Sequence, residues 1–199
     1  MVFAETWALL IDSFSKHELL CHGTLLVFIV TYYLVGCSFL LVDLFDSPAW
    51  LVCRRVPKTP RWREELRARI PALFSNLVTN QLLIFVPMAC VTASSVSGLR
   101  VDRELPPLKE SLWEMGLFIA AEEVMFFASH SLLHHPALYK HIHKKHHEFK
   151  SPTALSAVYA HPVEVLLANI LPLWVGPCVV VGSHLATWYC WVVVAIVGA

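Results

Sequence analysis

The sequence has few charged residues, and the two signs balance. Only 15% of its 199 residues are Asp, Glu, Lys or Arg, whereas an average soluble domain has about 25%. The formal net charge is zero, and nucleic-acid-binding surfaces are strongly basic, so we expect no nucleic-acid partner. Hydrophobic residues make up 57% of the chain. A composition this poor in charge and rich in apolar residues is typical of a protein embedded in lipid.

The chain also lacks closely spaced cysteine pairs. None of its six cysteines stands in a CxxC motif, and several lie inside apolar runs. This spacing argues against a thiolate metal site or a disulfide framework. We therefore expect the cysteines to be buried and to pack as small hydrophobic residues.

Long apolar runs separate the polar segments. The first run, residues 23–42, has twenty residues and no charge, and about twenty helical residues cross a hydrocarbon core of about 30 Å. The later apolar runs are 73–96, 112–133, 165–181 and 185–199. The pattern predicts an all-α fold, an integral membrane bundle of about four to five membrane helices. Residues 1–111 would form the N-terminal membrane helices with a basic loop, and residues 112–199 a second unit.

Three polar side chains interrupt the second apolar run: Asn76, Asn80 and Gln81. The run is still long enough to cross a membrane. Lipid offers no hydrogen-bonding partners to amide groups, so we expect these side chains to face other helices.

Basic residues are concentrated in one loop. Seven of the seventeen residues in segment 53–69 are Lys or Arg and two are acidic, whereas segment 98–110 has three residues of each sign. Because cytosolic loops carry the excess of Lys and Arg, we expect segment 53–69 to be cytosolic. Two spans separate this loop from the histidine-rich segment that follows residue 133. The histidines should therefore emerge on the cytosolic side as well.

Seven of the eleven histidines lie between residues 130 and 149. His130 and His134 are one helical turn apart and share a face. Pro136 suits the first turn of a second helix, which would run to Phe149. In that helix three imidazoles share a face at positions i, i+3 and i+4: His143, His146 and His147. Neutral imidazole is the commonest metal ligand, so two helical arms that present imidazoles to one point predict a metal site.

A different interpretation of this segment stays open. With Lys140, Lys144 and Lys145 it would be a basic, pH-responsive segment that binds anionic lipid headgroups. The lysines can bind lipid in either case. This interpretation leaves the helical spacing of the histidines unexplained.

The histidine-rich segment and the sequence after it resemble a known family. HSLLHH, HKKHHEF and SPTALSAVYAHPVE are similar to the fatty acid hydroxylase and sterol desaturase superfamily of integral membrane di-iron enzymes, over about residues 122–182. The stretch EEVMFFASHSLLHHPALYKHIHKKHHEFKSP is similar to the C4-methylsterol oxidases and to the branch of fatty acid hydroxylase domain-containing protein 2. The resemblance implies a helical membrane architecture, an endoplasmic reticulum location and a metal centre on the cytosolic side.

The resemblance also implies a chemistry and its partners. Members use O2 to hydroxylate sterols or fatty acyl chains in lipid metabolism, and they receive electrons from NAD(P)H through cytochrome b5 or a reductase. The expected cofactor is Fe, with two ions per site, and zinc is expected as a substitute in purified protein. On this basis the chain is a monooxygenase with no catalytic residue beyond its metal ligands.

By motif match the expected metal ligands are five histidines: His130, His134, His143, His146 and His147. Three further residues are expected to bind the metal or to orient a ligand: His135, His161 and Glu123. Glu123 lies two helical turns before His130, so its carboxylate would face the same side as that imidazole. The alternative is that Glu123 pairs with an Asn or Arg of another span.

The chain departs from the family pattern at two places. Ser131 stands where many members have Arg, and no histidine follows His184, whereas members carry further histidine motifs downstream. We therefore expect a shortened chain in which residues 112–199 are the front part of the hydroxylase domain. The alternative function is a catalytically inactive isoform that binds lipid or pairs with the full-length enzyme. A zinc hydrolase is disfavoured, because Ser131 rather than Glu follows the first histidine of the HxxxH pair.

Engineered glycosylation acceptors test the predicted orientation. An acceptor site inserted in segment 98–110 should be glycosylated in microsomes, because that loop is expected to be lumenal. A site inserted in segment 53–69 should stay unmodified. Gel mobility before and after glycosidase treatment measures both. The reverse pattern would place the histidines in the lumen and contradict the predicted topology.

Overall fold

The structure, a computed structural model, describes residues 2–53, 61–95 and 98–198. The long helices are labelled α1 (Val2–Ser13), α2 (Lys16–Phe45), α3 (Trp62–Val91, continuing to Ser95), α4 (Leu108–Leu133), α5 (Pro162–Val179) and α6 (Leu185–Gly198). Shorter helical segments lie at Ala49–Val52, Pro136–Tyr139, His143–Glu148 and Ala154–Val158. This part of the chain contains no strand, only an isolated parallel bridge between Arg100 and His184.

Four of these helices, α2 to α5, are long and apolar enough to cross a membrane, judged by length and composition. The last helix, α6, is a shorter apolar helix of 14 residues. These helices confirm the predicted all-α, multi-pass membrane fold. Residues 54–60 of the predicted basic loop, and the ends of two predicted runs at residues 96 and 199, lie outside the described residues.

The four spans begin before the apolar runs that predict them, because polar residues form the helix ends. At α2, Ser15 is the N-cap residue and its side chain accepts a hydrogen bond from the Glu18 N–H at 3.3 Å. The Glu18 carboxylate in turn accepts from the Ser15 N–H at 2.8 Å. This capping box satisfies two backbone donors that a helix start leaves free, so the helix begins ahead of its apolar residues.

Helices α4 and α5 approach each other at a glycine. A Cβ atom at Gly176 of α5 would lie 2.6 Å from the Cα atom of Phe118 in α4, which is closer than real Cβ atoms approach. The Phe118 side chain is fully buried at this crossing. Small residues permit such contacts between membrane helices, where close packing holds the helices together. The contact fixes the spacing between the helix that ends at the histidine-rich segment and the helix that follows it.

Buried amides of α3 hold the segment that leads into α5. Asn76 accepts a hydrogen bond from the Ala160 N–H and donates one to the Ala160 carbonyl, each at 3.1 Å. Asn80 also donates to the Ala160 carbonyl at 3.1 Å, and Gln81 accepts from the Tyr33 hydroxyl of α2 at 3.0 Å. The prediction that these polar side chains face other helices is confirmed for Gln81, whereas Asn76 and Asn80 face the backbone segment that precedes α5.

The loop between α3 and α4 closes the end of the bundle opposite the histidines. The Arg100 N–H donates to the Ser183 carbonyl, and the Leu185 N–H donates to the Arg100 carbonyl, both at 2.9 Å. Trp7 of α1 donates through Nε1 to the Asp102 carbonyl at 2.9 Å. Because α4 starts at this loop and has 26 residues, it carries the chain about 39 Å to the histidine end.

The cysteines do not form a buried set. Cys21 is buried and Cys37 is half-buried, whereas four others are exposed: Cys53, Cys90, Cys178 and Cys190. The prediction that the cysteines pack in the core is therefore wrong for most of them. A thin bundle of membrane helices presents much of its surface to lipid, and a weakly polar thiol is tolerated there as it is in a core.

Two glycines form a matched pair for testing the α4–α5 contact. In Gly176→Ala the new methyl group meets the backbone of Phe118, so we expect a loss of about 1–3 kcal/mol in the free energy of unfolding. Gly116 of α4 has nothing within 4 Å of an added Cβ, so Gly116→Ala should be neutral or slightly stabilising. The midpoint of thermal unfolding in detergent measures both. Equal midpoints for the two variants would contradict the packing described.

Candidate metal centre

The first pair of histidines lies at the C-terminal end of α4. His130 is in the last turn, and His134 is the C-cap residue, whose N–H donates to the His130 carbonyl at 3.2 Å. One helical turn separates the two side chains, and their Nε2 atoms are 3.2 Å apart. The i, i+4 spacing in the sequence predicts this contact.

The second group lies on a short connection and not on a second long α-helix. Pro136–Tyr139 is a single α-helical turn, residues 140–142 form a turn, and His143–Glu148 is a 3-10 helix. The predicted α-helical arm is therefore wrong beyond Tyr139. A 3-10 helix has about three residues per turn, so the rings of His143 and His146 stack with their centroids 5.6 Å apart.

The Nε2 atoms of four imidazoles form a chain of close contacts. The Nε2 atom of His143 lies 3.2 Å from that of His134 and 3.0 Å from that of His147. The ligand atoms of His130, His134 and His143 all lie within 4.8 Å of one another. Nitrogen atoms that share one metal ion at about 2.1 Å are about 3.0–3.4 Å apart, so the distances of 3.2 Å from His134 to His130 and to His143 fit a common ion for these three residues.

A buried carboxylate orients the central imidazole. His143 and Glu164 are 0% and 3% exposed, and His143 Nδ1 lies 2.8 Å from Glu164 Oε1. When the proton is on Nδ1, this N–H donates to the carboxylate and the Nε2 lone pair faces His134 and His147. Histidines that bind metals commonly donate their other N–H to a carboxylate, which fixes the ring and its tautomer. Glu164 is therefore placed to hold His143 in the ring orientation and tautomer that bind a metal ion.

Glu164 is not among the site residues predicted from the sequence. Its signal was present, because Glu164 directly precedes the apolar run 165–181, and ionisable residues in a membrane span are costly and usually functional. Glu123, for which the sequence predicts such a role, is exposed on α4. The role of Glu123 stays a prediction, whereas the contact with His143 belongs to Glu164.

Burial favours the uncharged form of the imidazoles on the 3-10 helix. Burial, and after it the neighbouring imidazoles, lower the pKa of His143 to about 4. Burial is also the main cause that lowers the pKa of His146 and of His147. Their neutral form has a free lone pair, which is the form that binds a metal ion.

His146 lies beside the four-imidazole contact. Its ring centroid is 5.5 Å from that of His147 and 6.5 Å from that of His130. The ring is half-buried and packs at the edge of the group. The structure thus brings all five predicted ligands to one place, with His146 at its margin.

Two further histidines cap helices. His135 Nδ1 accepts from the Ala137 N–H at 3.3 Å, and His161 Nδ1 accepts from the Val163 N–H at 3.2 Å. In each case the histidine precedes a proline that starts the helix, and the ring satisfies a backbone N–H at the helix start. The group of converging ligand atoms found in the described part of the chain includes neither ring. Their metal-binding role stays a prediction.

Helix α3 supports the end of the histidine-rich segment. The Glu148 carboxylate accepts hydrogen bonds from Arg69 at 3.4 Å and from the Tyr159 hydroxyl at 3.0 Å. The Arg69 guanidinium also lies over the Phe149 ring, 5.6 Å from its centroid. Phe149 packs edge to face against the Tyr159 ring, with centroids 4.8 Å apart. These contacts hold the 3-10 helix that carries His147.

The donor set fits zinc or a transition metal such as iron. Neutral imidazoles suit iron, zinc, copper and nickel, whereas calcium and magnesium prefer oxygen ligands. His134 and His147 are exposed while His143 is buried, so the group opens to the surface on one side. The arrangement can hold a metal ion and leave it accessible to small molecules.

Comparisons with known proteins point to one family. Residues 115–199 match the family model described as fatty acid hydroxylase. The chain is 34% identical to human fatty acid hydroxylase domain-containing protein 2, over 96% of this chain and 58% of that protein. It is 32% identical to fatty acid hydroxylase ahd1 of Mycosarcoma maydis, over 92% of this chain and 47% of that protein. Methylsterol monooxygenase 2-2 of Arabidopsis thaliana is 28% identical, over 98% of this chain and 71% of that protein.

The chain thus spans only about half the length of the first two of these relatives. No solved structure matches it significantly.

Substitutions of Glu164 test its role in preparing the metal ligand. In Glu164→Gln the amide still accepts from His143 without a charge, and in Glu164→Leu no acceptor remains. We expect the affinity for Fe(II) to fall in this order, by about 10–100-fold for the leucine variant. Competition with a chromogenic chelator measures the affinity. Glu5→Leu, at an exposed position of α1, is the control and should bind as the wild type does, so equal losses in both leucine variants would contradict the assignment.

Proposed function

This chain belongs to the fatty acid hydroxylase family, and on that premise we propose that it is a membrane-bound non-haem di-iron monooxygenase that hydroxylates sterol or fatty acyl C–H bonds. The observation that carries the proposal is the series of Nε2–Nε2 contacts of 3.0–3.2 Å that links His130, His134, His143 and His147. Relatives named as a fatty acid hydroxylase and as a methylsterol monooxygenase support a lipid substrate.

The chain's own residues hold and orient the metal. We assign His130, His134 and His143, whose ligand atoms lie within 4.8 Å of one another, to one ion, and His147 and His146 to the second. Bound iron supplies the redox chemistry that an unactivated C–H bond requires, since acid–base side chains cannot oxidise it. The Glu164 carboxylate keeps the Nε2 lone pair of His143 directed at the other imidazoles, so the ligands need little rearrangement when metal binds.

The place of the histidines at the end of a membrane span supports a lipid substrate. In the most apolar 18-residue stretch of α4 only 11% of the residues are buried inside the protein, compared with 44% in the corresponding stretch of α5. Its outer face carries large apolar side chains, among them Val124 and Phe127. An alkyl chain in the bilayer can therefore lie along α4 as far as His130 without leaving apolar surroundings.

The proposed orientation gives the site access to electrons. We place the histidine-rich segment on the cytosolic side of the endoplasmic reticulum membrane, with cytochrome b5 or an NAD(P)H-dependent reductase as the electron donor. Lys140 and Lys144 are exposed next to the ligands and support a cytosolic, basic surface at this end. A donor in the cytosol then reaches the metal from outside while the substrate stays in the bilayer.

Alanine variants of two ligands test the proposed function. The wild type and the His143→Ala and His147→Ala variants are purified in detergent, and bound iron and zinc are measured by mass spectrometry. Loss of a ligand from the four-imidazole group should lower bound metal about tenfold or more. His22→Ala removes an exposed imidazole near the start of α2 and should retain the wild-type metal content.

The same variants are then assayed in membranes for oxygen insertion. With NADPH, O2 and a reductase, we expect sterol or acyl lipids that have gained one oxygen atom in the wild type and in His22→Ala. His143→Ala should form none. Unchanged product formation in His143→Ala, or wild-type metal content in both ligand variants, would contradict the proposal.

A further inference from the structure

Two thiols on different helices lie close together at the end of the bundle opposite the histidines. Cys21 belongs to the π-helical turn Leu19–Gly23 of α2, and Cys90 lies in the last turns of α3, which ends at Ser95. Their Sγ atoms are 3.2 Å apart although the residues are 69 positions apart in the sequence. The fold therefore brings together two cysteines that no sequence motif pairs.

The geometry is close to that of a disulfide. The S–S bond is about 2.05 Å long, so the two sulfur atoms need to approach by about 1.2 Å. The helical turns that carry the two thiols pack directly against each other, so this approach is a local movement. A hydrogen bond from α6 also fixes the helical turn that contains Cys21: the Tyr189 hydroxyl donates to the Leu19 carbonyl at 2.5 Å.

The two thiols differ in accessibility. Cys90 is exposed, whereas Cys21 is buried. Cys90 lies about 32 Å along α3 from Arg69, which contacts Glu148 at the histidine end. A hydrocarbon core is about 30 Å thick, so Cys90 lies at the opposite membrane boundary, where a soluble partner can reach its thiol. Cys21 is placed to react only with the sulfur next to it.

We propose that Cys21 and Cys90 form an intramolecular disulfide by exchange with a dithiol–disulfide oxidoreductase. The Cys90 thiolate attacks the partner's disulfide, which gives a mixed disulfide and releases one partner thiolate. The Cys21 thiolate then attacks the Cys90 sulfur, forms the Cys21–Cys90 bond and releases the second partner thiolate. The chain loses two electrons and two protons, and the partner's disulfide becomes a dithiol.

The position of the pair favours oxidation. Cys90 is near the end of α3, and α4 starts after the next loop. Because α4 then crosses to the histidines, the cysteine pair and the metal site lie on opposite sides of the membrane. The inference rests on the proposed orientation, in which the histidines are cytosolic and the cysteine pair is lumenal. Disulfides form and persist in the lumen of the endoplasmic reticulum and are rare in the cytosol.

Counting free thiols tests the proposal. The chain is expressed in eukaryotic cells, free thiols are blocked with N-ethylmaleimide at lysis, and the denatured protein is then reduced and labelled with a maleimide polymer. We expect two labelled cysteines out of six in the wild type, and a peptide cross-link between Cys21 and Cys90 by mass spectrometry. Cys21→Ser and Cys90→Ser should each carry none. Cys178→Ser removes an exposed thiol outside the pair and should still carry two labels.

The outcome is separate from that of the proposed enzyme function. Wild-type protein with no label after this procedure would overturn the disulfide. Two labels that persist in Cys21→Ser would overturn it as well, because other thiols would then be paired. The metal content of the same preparation is measured independently, so failure of the disulfide and failure of the metal site are distinguishable.

Discussion

The hydrogen bond between His143 and Glu164 is the contact on which the arrangement of the site depends. It joins the 3-10 helix to the first turn of α5, and both side chains are buried. A buried carboxylate is costly unless it has a partner, and His143 provides one. The same contact directs the Nε2 atom of His143 toward His134 and His147. The cost of placing Glu164 in an apolar helix is thus offset by the interaction that makes His143 a ligand.

Close packing and hydrogen bonds between the membrane helices set the positions of the residues around this contact. Gly176 lets α4 and α5 approach closely, which sets the distance between the first histidine pair and Glu164. Asn76 and Asn80 hold the Ala160 backbone just before α5 begins. In lipid these polar and close-packed contacts matter more than hydrophobic burial, because the surroundings of the bundle are as apolar as its interior. The relative positions of the histidines and Glu164 therefore depend on contacts between helices inside the bilayer.

Much of this could be predicted from the sequence, and the exceptions have physical reasons. Apolar runs predict the spans because the bilayer sets their length, and i, i+4 spacing predicts the contact of His130 with His134 because both lie on one helix. The role of Glu164 could not be predicted, since its partner is 21 residues away and the pairing depends on how α5 packs. The proximity of Cys21 and Cys90 depends in the same way on the packing of two helices. The 3-10 helix at His143–Glu148 could not be predicted, because the sequence from Pro136 to Phe149 is equally compatible with a continuous α-helix.

The central claim is that imidazoles of α4 and of the following 3-10 helix bind the same metal. X-ray absorption at the iron edge of the purified, iron-loaded chain tests this most directly. The account predicts a coordination shell dominated by nitrogen, with the outer scattering that several imidazole rings produce, and weaker imidazole scattering in His143→Ala. A shell of oxygen or sulfur ligands without imidazole scattering would contradict it.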